Sequence, residues 1–296
     1  MKLAVYSHAA CHEHDTGPGH PESPSRIAAV LQALADPACL PTDRIEAVRA
    51  TREQLERAHT SAHVDAVLAA APSSGYRYLD ADTVISAGSV EAALRAAGAV
   101  CQAVDAVFSG GAPRAFCAVR PPGHHATAST AMGFCLFNSV AVGAAHAIHV
   151  HGLDRVAIVD FDVHHGNGTA DIFATDARVL YASTHQIPLY PGTGARNERG
   201  VGNLVHEPLP AGARSEQFRA AYQTRILPAL DAFAPQLLMI SAGFDAHRLD
   251  PLANLDLETE DFGWVTRQLL AIAQKHCKSR MISSLEGGYS LTALRE

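Results

Sequence analysis

The chain has 296 residues, 48% hydrophobic and 18% charged, with a formal net charge of −7, a length and balance that suit one large α/β unit with a sizeable core. No Lys/Arg run interrupts the acidic balance, which argues against nucleic acid as a partner, and neither a signal peptide nor an apolar run of about 18 residues is apparent, so no membrane is expected either. Histidine is over-used at 17 residues, and the six cysteines (Cys11, Cys39, Cys101, Cys117, Cys135 and Cys277) contain no C-x-x-C pair and read as free thiols of a reducing, cytoplasmic compartment.

In chain order, 2–6 (KLAVY) predicts a first strand, followed by the loop SHAACHEHDTGPGHPESPSR. His12 and His14 have metal-like spacing, but the loop supplies no third ligand and they read as solvated. Ser23 or Ser25 would cap a helix reaching about Ala35, with Ile27, Val30, Leu31 and Leu34 on one face. A short strand is expected at 45–48. His59 and His63 lie four apart on a predicted helix; with no Glu beside His59 an H-E-x-x-H zinc site is excluded, and they are assigned to packing and capping.

A long helix over 89–108 leads to a strand at 115–119 and then abruptly to RPPGHHA. A helix over 138–150 is closed by Gly152, and its His146, His149 and His151, without acids at useful spacing, read as surface residues. Next come VAIVDFDVHHGNGT (156–169), the strand VLYAS (179–183), the loop PGTGARNERGVGN and a helix over 215–233. The strand QLLMIS (236–241), the segment AGFDAHRLDP, a helix over 260–276, the strand RMISSL (280–285) and EGGYS complete the chain. Strands alternating with helices predict a parallel sheet covered on both faces, in a single domain over 1–296. RPPGHHA, DFDVHHGNG, STHQ, AGFDAHRLDP and EGGY each follow a predicted strand, at the sheet edge where α/β proteins bind ligands.

Asp160, Asp162 and His164 fall at i, i+2 and i+4, which in extended backbone turns all three to one side. Two carboxylates and an imidazole leaving a buried strand need a compensating charge, most simply a divalent metal; the structural alternative is a strand end whose acids cap the next helix. Asp245, His247 and Asp250 compete to be a third ligand beside Asp162 and His164, Asp250 being held extended by Pro251. Such an oxygen-rich set with open positions is hydrolytic in character and suits Zn²⁺, or Fe²⁺ in its place. The His124–His125 pair can supply a base and Tyr289 a donor to a developing oxyanion, with Asp160 and Asn167 orienting the histidines.

Taken together, HPESPSR, RPPGHHA, GFCLFNSVA, DFDVHHGNGT, STHQ…YPGTG, SAGFDAHRLDPL and EGGYSL closely resemble the histone deacetylase superfamily, which includes acetylpolyamine amidohydrolases, and its class II branch most. The resemblance implies an arginase-like α/β fold around a central, mostly parallel sheet of about eight strands. It implies Asp162, His164 and Asp250 as zinc ligands, Tyr289 polarising the acyl carbonyl, and His125 as proton shuttle. Asp160 would pair with His124 and Asn167 with His125, the neutral Asn leaving His125 less basic. Gly133, Phe134 and Tyr190 would wall an acyl-lysine tunnel, and Arg26 would match an internal channel arginine. A K⁺ ion would sit among the backbone oxygens of Asp160, Asp162 and His164 with Ser183 and Thr184. The rim position seven residues beyond the aspartate ligand, Leu257 on this assignment, is apolar as in lysine deacetylases. The expected activity is therefore a zinc-dependent amidohydrolase acting on acyl-lysine in a peptide or protein. A small acetylated amine such as an acetylpolyamine is the alternative substrate, a catalytically silent ligand-binding homologue is less favoured, and homo-oligomerisation stays open. Relatives continue into a further helix where this chain stops, seven residues after Tyr289; either this member is short, or the chain is truncated and its last strand is less well covered.

Overall fold

The computed structural model describes residues 3–296, so Lys2 of the predicted first strand lies outside the described residues. The strands are β1 (Leu3–Ser7), β2 (Thr42–Glu46), β3 (Arg77–Tyr78), β4 (Val84–Ile85), β5 (Arg114–Cys117), β6 (Val156–Asp160), β7 (Val179–Gln186), β8 (Leu204–Leu209), β9 (Leu237–Ala242) and β10 (Met281–Leu285). β3 and β4 form a small antiparallel hairpin, and the other eight build one sheet in the order β2-β1-β5-β10-β9-β6-β7-β8. Every pairing in that sheet is parallel. The hairpin and β8 escape the sequence reading; β8 follows a Gly-rich loop and carries His206, Glu207 and Pro208, which break the apolar pattern.

Side-chain alternation explains why the sheet needs covering on both faces. Val156 and Ile158 of β6 enter one core, with the helices Ser89–Ser109 and Ser139–His151. Ala157 and Val159, their neighbours on the same strand, enter the other, with the helix Thr259–His276. The helix Ser89–Ser109 is long and apolar enough by composition to cross a bilayer, contrary to the sequence reading that no such run exists. Its apolar window is 67% buried here, and its face packs on the sheet as a core helix. The poorly covered last strand, one of the two alternatives for the chain's end, is not found: β10 lies between β5 and β9, is largely buried, and is followed by the helix Leu291–Arg295.

The loop after β1 is fixed, not solvated. His14 is buried, with Nδ1 2.7 Å from Ser89 Oγ, whereas His12 is exposed. Glu22, fully buried, accepts from Arg120 Nε and Nη2 at 2.5 and 2.6 Å and from Arg26 Nη1 at 2.8 Å. Arg26 also donates to the Gly288 and Glu286 carbonyls at 2.6 and 2.5 Å, which ties this first loop to the loop after β10. Burial alone would raise the Glu22 pKa, but the Arg120 guanidinium outweighs it and holds the carboxyl well below the usual range. Glu22→Gln strands two buried guanidinium groups and should destabilise the chain by about 3–5 kcal/mol. Because the folded pKa is depressed, this contribution is full above the unfolded carboxylate pKa of about 4.3 and is lost as pH falls through the lower folded value. Urea midpoints of the wild type and variant should therefore differ by a constant amount near neutrality and converge in acid; a gap unchanged by acid would contradict the ionised pairing.

Candidate active site

The chemistry-bearing side chains converge where the loops after β5, β6, β9 and β10 meet, at the C-terminal edge of the four central strands of the parallel run. Asp162, His164 and Asp245 are all buried, and their ligand atoms lie within 4.8 Å of one another. His164 Nδ1 is 3.1 Å from both Asp162 Oδ1 and Asp245 Oδ2. The backbone sets the acids: Gly287 N donates to Asp162 Oδ2 and Val163 N to Asp245 Oδ1, each at 2.8 Å. Two glycines leave the space they need. A Cβ on Gly243 would come within 2.0 Å of Asp162 Oδ2, and one on Gly287 within 2.2 Å of Asp245 Oδ2.

The electrostatics are those of a cation site. Burial and the neighbouring Asp162 push the Asp245 carboxyl up to about 7. Burial would lower the His164 pKa, but hydrogen bonds to Asp162 and Asp245 lift it to about 10, so a proton on Nδ1 stands where a divalent ion would balance both carboxylates. The donor set, two carboxylates and one imidazole, fits a borderline divalent ion with open positions.

Asp250 does not join this set. Its Oδ2 accepts from Tyr289 N at 2.6 Å and Ser290 N at 3.3 Å, and its Oδ1 from Leu252 N at 3.0 Å. The acid expected to bind metal instead anchors the Tyr289 loop. Asp245 takes its place: it stands three residues beyond the end of β9, with its carboxylate on Val163 N and beside His164 Nδ1. Leu257 fails with it. Fully buried, it pairs with Ala246 and Arg248 through the backbone and packs in the core against the helix Thr259–His276, away from any tunnel. Seven residues beyond Asp245 the position is Leu252, which does line the cavity.

That cavity holds about 210 Å³ and is lined by Asp82, His125, Gly133, Phe134, His164, Leu189, Tyr190, Leu252 and Tyr289. Gly133, Phe134 and Tyr190 are thus where the sequence reading expects them. Gly133 has φ +55°, and a Cβ there would lie 2.5 Å from the His125 ring, so only glycine lets this wall close on the histidine. The rings of Phe134 and Tyr289 lie edge to face at 5.9 Å, and those of His125 and Tyr190 at 5.1 Å.

The two histidines have partners that push them apart. His124 Nδ1 is 3.0 Å from Asp160 Oδ2, which also accepts from the Tyr181 hydroxyl at 2.9 Å. Burial would lower the His124 pKa, but Asp162 and Asp160 raise it well above the ordinary value. His125 Nδ1 donates to Asn167 Oδ1 at 2.8 Å, which leaves Nε2 as the free lone pair. Burial, then the positive His124 and His164, hold His125 well below the ordinary value, so it stays neutral with its Nε2 lone pair free. Burial foremost, then Asp245, keeps the Tyr289 hydroxyl protonated and able to donate. The Arg26 guanidinium lies 4.9 Å from the centre of its ring. Ser183 is the register partner of Asp160, and Thr184 follows it, buried, so these three of the residues expected around K⁺ sit on paired strands, with Asp162 and His164 in the loop after β6.

Glu286 has no role in the sequence reading. Its Oε2 accepts from Gly123 N at 2.6 Å and His124 N at 3.1 Å, and its Oε1 from Ser241 Oγ at 3.2 Å. Burial pushes this carboxyl up to about 7. It fixes the turn that presents His124 and His125; its position at the head of EGGYS, directly after a buried strand, was the available signal.

The chain is similar to known proteins over nearly its whole length. The family profile described as histone deacetylase domain matches residues 20–296. The chain is 37% identical to a protein of Archaeoglobus fulgidus named probable deacetylase, over 98% of this chain and 82% of that one. It is 39% identical to a histone deacetylase-like amidohydrolase of Pseudomonas aeruginosa, over 92% of this chain and 73% of that one. Among solved structures, the HDA15 HD domain superposes with a TM-score of 0.90 at 38% identity, covering 99% of this chain and 87% of that one.

Proposed function

The chain belongs to the histone deacetylase family, and from that premise we propose that it is a zinc-dependent hydrolase removing acyl groups from lysine side chains in peptides or proteins. Asp162, His164 and Asp245 would hold the ion, Zn²⁺ or alternatively Fe²⁺, which when bound lowers the pKa of water and polarises the acyl carbonyl. His125 Nε2 takes the proton from the attacking water while its Nδ1–H stays on Asn167. The water oxygen bonds to the carbonyl carbon, and the Tyr289 hydroxyl donates to the oxygen that becomes negative. As the C–N bond breaks, His125 returns its proton to the leaving amine. His124, kept positive by Asp160 and Asp162, stabilises the charge that builds beside it. A K⁺ ion among Asp160, Asp162, His164, Ser183 and Thr184, and a cytoplasmic location, are part of the same reading.

The single observation that carries acyl-lysine as substrate is the apolar lining of the cavity at Leu252, beside Phe134, Leu189 and Tyr190. A butyl stem matches such walls, whereas a polyamine brings a second cation that they do not pair. Asp82, lining the same cavity, favours the alternative of a small acetylated amine. The test is kcat/KM for an acetyl-lysine peptide against N-acetylspermidine at equal ionic strength. The peptide should win; a polyamine advantage of about tenfold, or 1.4 kcal/mol of transition-state discrimination, would transfer the assignment to Asp82 and the polyamine.

A further inference from the structure

The helix Ser139–His151 carries three histidines read from sequence as surface residues without acidic partners. His149 is exposed as expected, but for His146 and His151 the structure corrects this: the acid comes from another helix. Asp105 Oδ1, on the helix Ser89–Ser109, lies 2.9 Å from His146 Nε2 and 2.8 Å from His151 Nε2. All three ligand atoms lie within 4.8 Å of one another. The Asp105 side chain is 53% exposed and that of His151 21%, while His146 forms the buried floor. An ion therefore has access from solvent and a fixed ligand beneath it. The His151 ring is stacked on Phe108 at 4.7 Å, which restrains its swing. This helix leads into the start of β6, so the cluster lies toward the edge of the sheet opposite the active site.

A fourth residue decides whether the cluster is open. Arg57 Nη1 lies 2.7 Å from His146 Nδ1, and guanidinium nitrogens only donate. His146 Nδ1 must then be the lone pair and Nε2 must carry the proton, aimed at Asp105. In that tautomer the ligand nitrogen is blocked. Besides His146, Arg57 has one partner among the described residues: Nη2 donates to the largely exposed Glu53 carboxylate at 2.8 Å, and its buried Nε has no hydrogen bond.

We propose that Asp105, His146 and His151 form a second metal site for a borderline divalent transition ion such as Zn²⁺, with Arg57 as its gate. When Arg57 swings toward Glu53 and solvent, the His146 proton is carried on Nδ1 in place of Nε2. Nε2 is then a free donor, and two imidazole nitrogens with one carboxylate oxygen leave the ion a position for water.

Metal-stripped protein titrated with Zn²⁺ under equilibrium dialysis tests the site independently of catalysis. The wild type should bind two ions per chain, and Asp105→Asn/His151→Gln one, with deacetylation unchanged. Asp245→Asn should still bind one ion. Loaded with Cu²⁺, it should show hyperfine coupling to two imidazole nitrogens, falling to one on adding His151→Gln. Arg57→Ala, freeing His146 Nδ1, should tighten the second site by about threefold or more. A wild type that binds a single ion, or a second ion that survives Asp105→Asn/His151→Gln, overturns the site; unchanged affinity in Arg57→Ala overturns the gate.

Discussion

Asp245→Asn should lose the active-site ion and with it all measurable deacetylation, whereas Asp250→Asn should keep the ion. Asp245 sits beside Asp162 and His164 in a buried cradle, and Asn preserves its hydrogen bond from Val163 N while removing the charge. Asp250 spends its oxygens on backbone N–H groups, so its loss should loosen the Tyr289 loop and lower kcat without emptying the site. Metal analysis of the two variants beside wild type checks this: a normal ion content in Asp245→Asn, or loss of the active-site ion in Asp250→Asn, would reverse the assignment. Stability should follow. An ion present at a thousand times its dissociation constant stabilises the fold by about 4 kcal/mol. A chelator should accordingly lower the Tm of wild type markedly and that of Asp245→Asn much less.

Tyr289→Phe should lower kcat by about 10²–10³-fold with the ion content intact. The ring contacts with Phe134 and Arg26 survive the change, so only the donor is lost. That separates it from Asp250→Asn, which moves the same residue without removing its hydroxyl. An effect below about threefold would take Tyr289 out of the reaction and favour a ligand-binding role.

The strand-end clusters were legible because they combine two signals that survive without a structure: a β-branched run, then residues too polar to be there by packing. Asp160, Asp162, His164, His124, His125, Asn167 and Tyr289 all come together on that basis. The choice among the three candidates of AGFDAHRLDP was not legible, since it turns on where the chain leaves the sheet, and a proline after Asp250 is equally compatible with a turn that faces away. Taking Asp250 as the ligand puts the tunnel wall at Leu257 in place of Leu252 by simple offset. The Asp105 partnership with His146 and His151 was invisible for a different reason: it spans 41 and 46 residues between two helices, and helical periodicity reports faces, not which faces meet.

The strand order has a consequence for how the protein is made. β10 is flanked by β5 on one side and β9 on the other, and it alone joins β2-β1-β5 to β9-β6-β7-β8. Until residues 281–285 leave the ribosome, the nascent chain can form at most two partial sheets. Each would present the open edge of an apolar parallel strand, Arg114–Cys117 in one and Leu237–Ala242 in the other. Such edges pair readily with other chains. Closing the gap requires contacts of high sequence separation, which form slowly. The vulnerable moment in the life of this protein is therefore the interval in synthesis when both partial sheets exist and the strand that joins them does not.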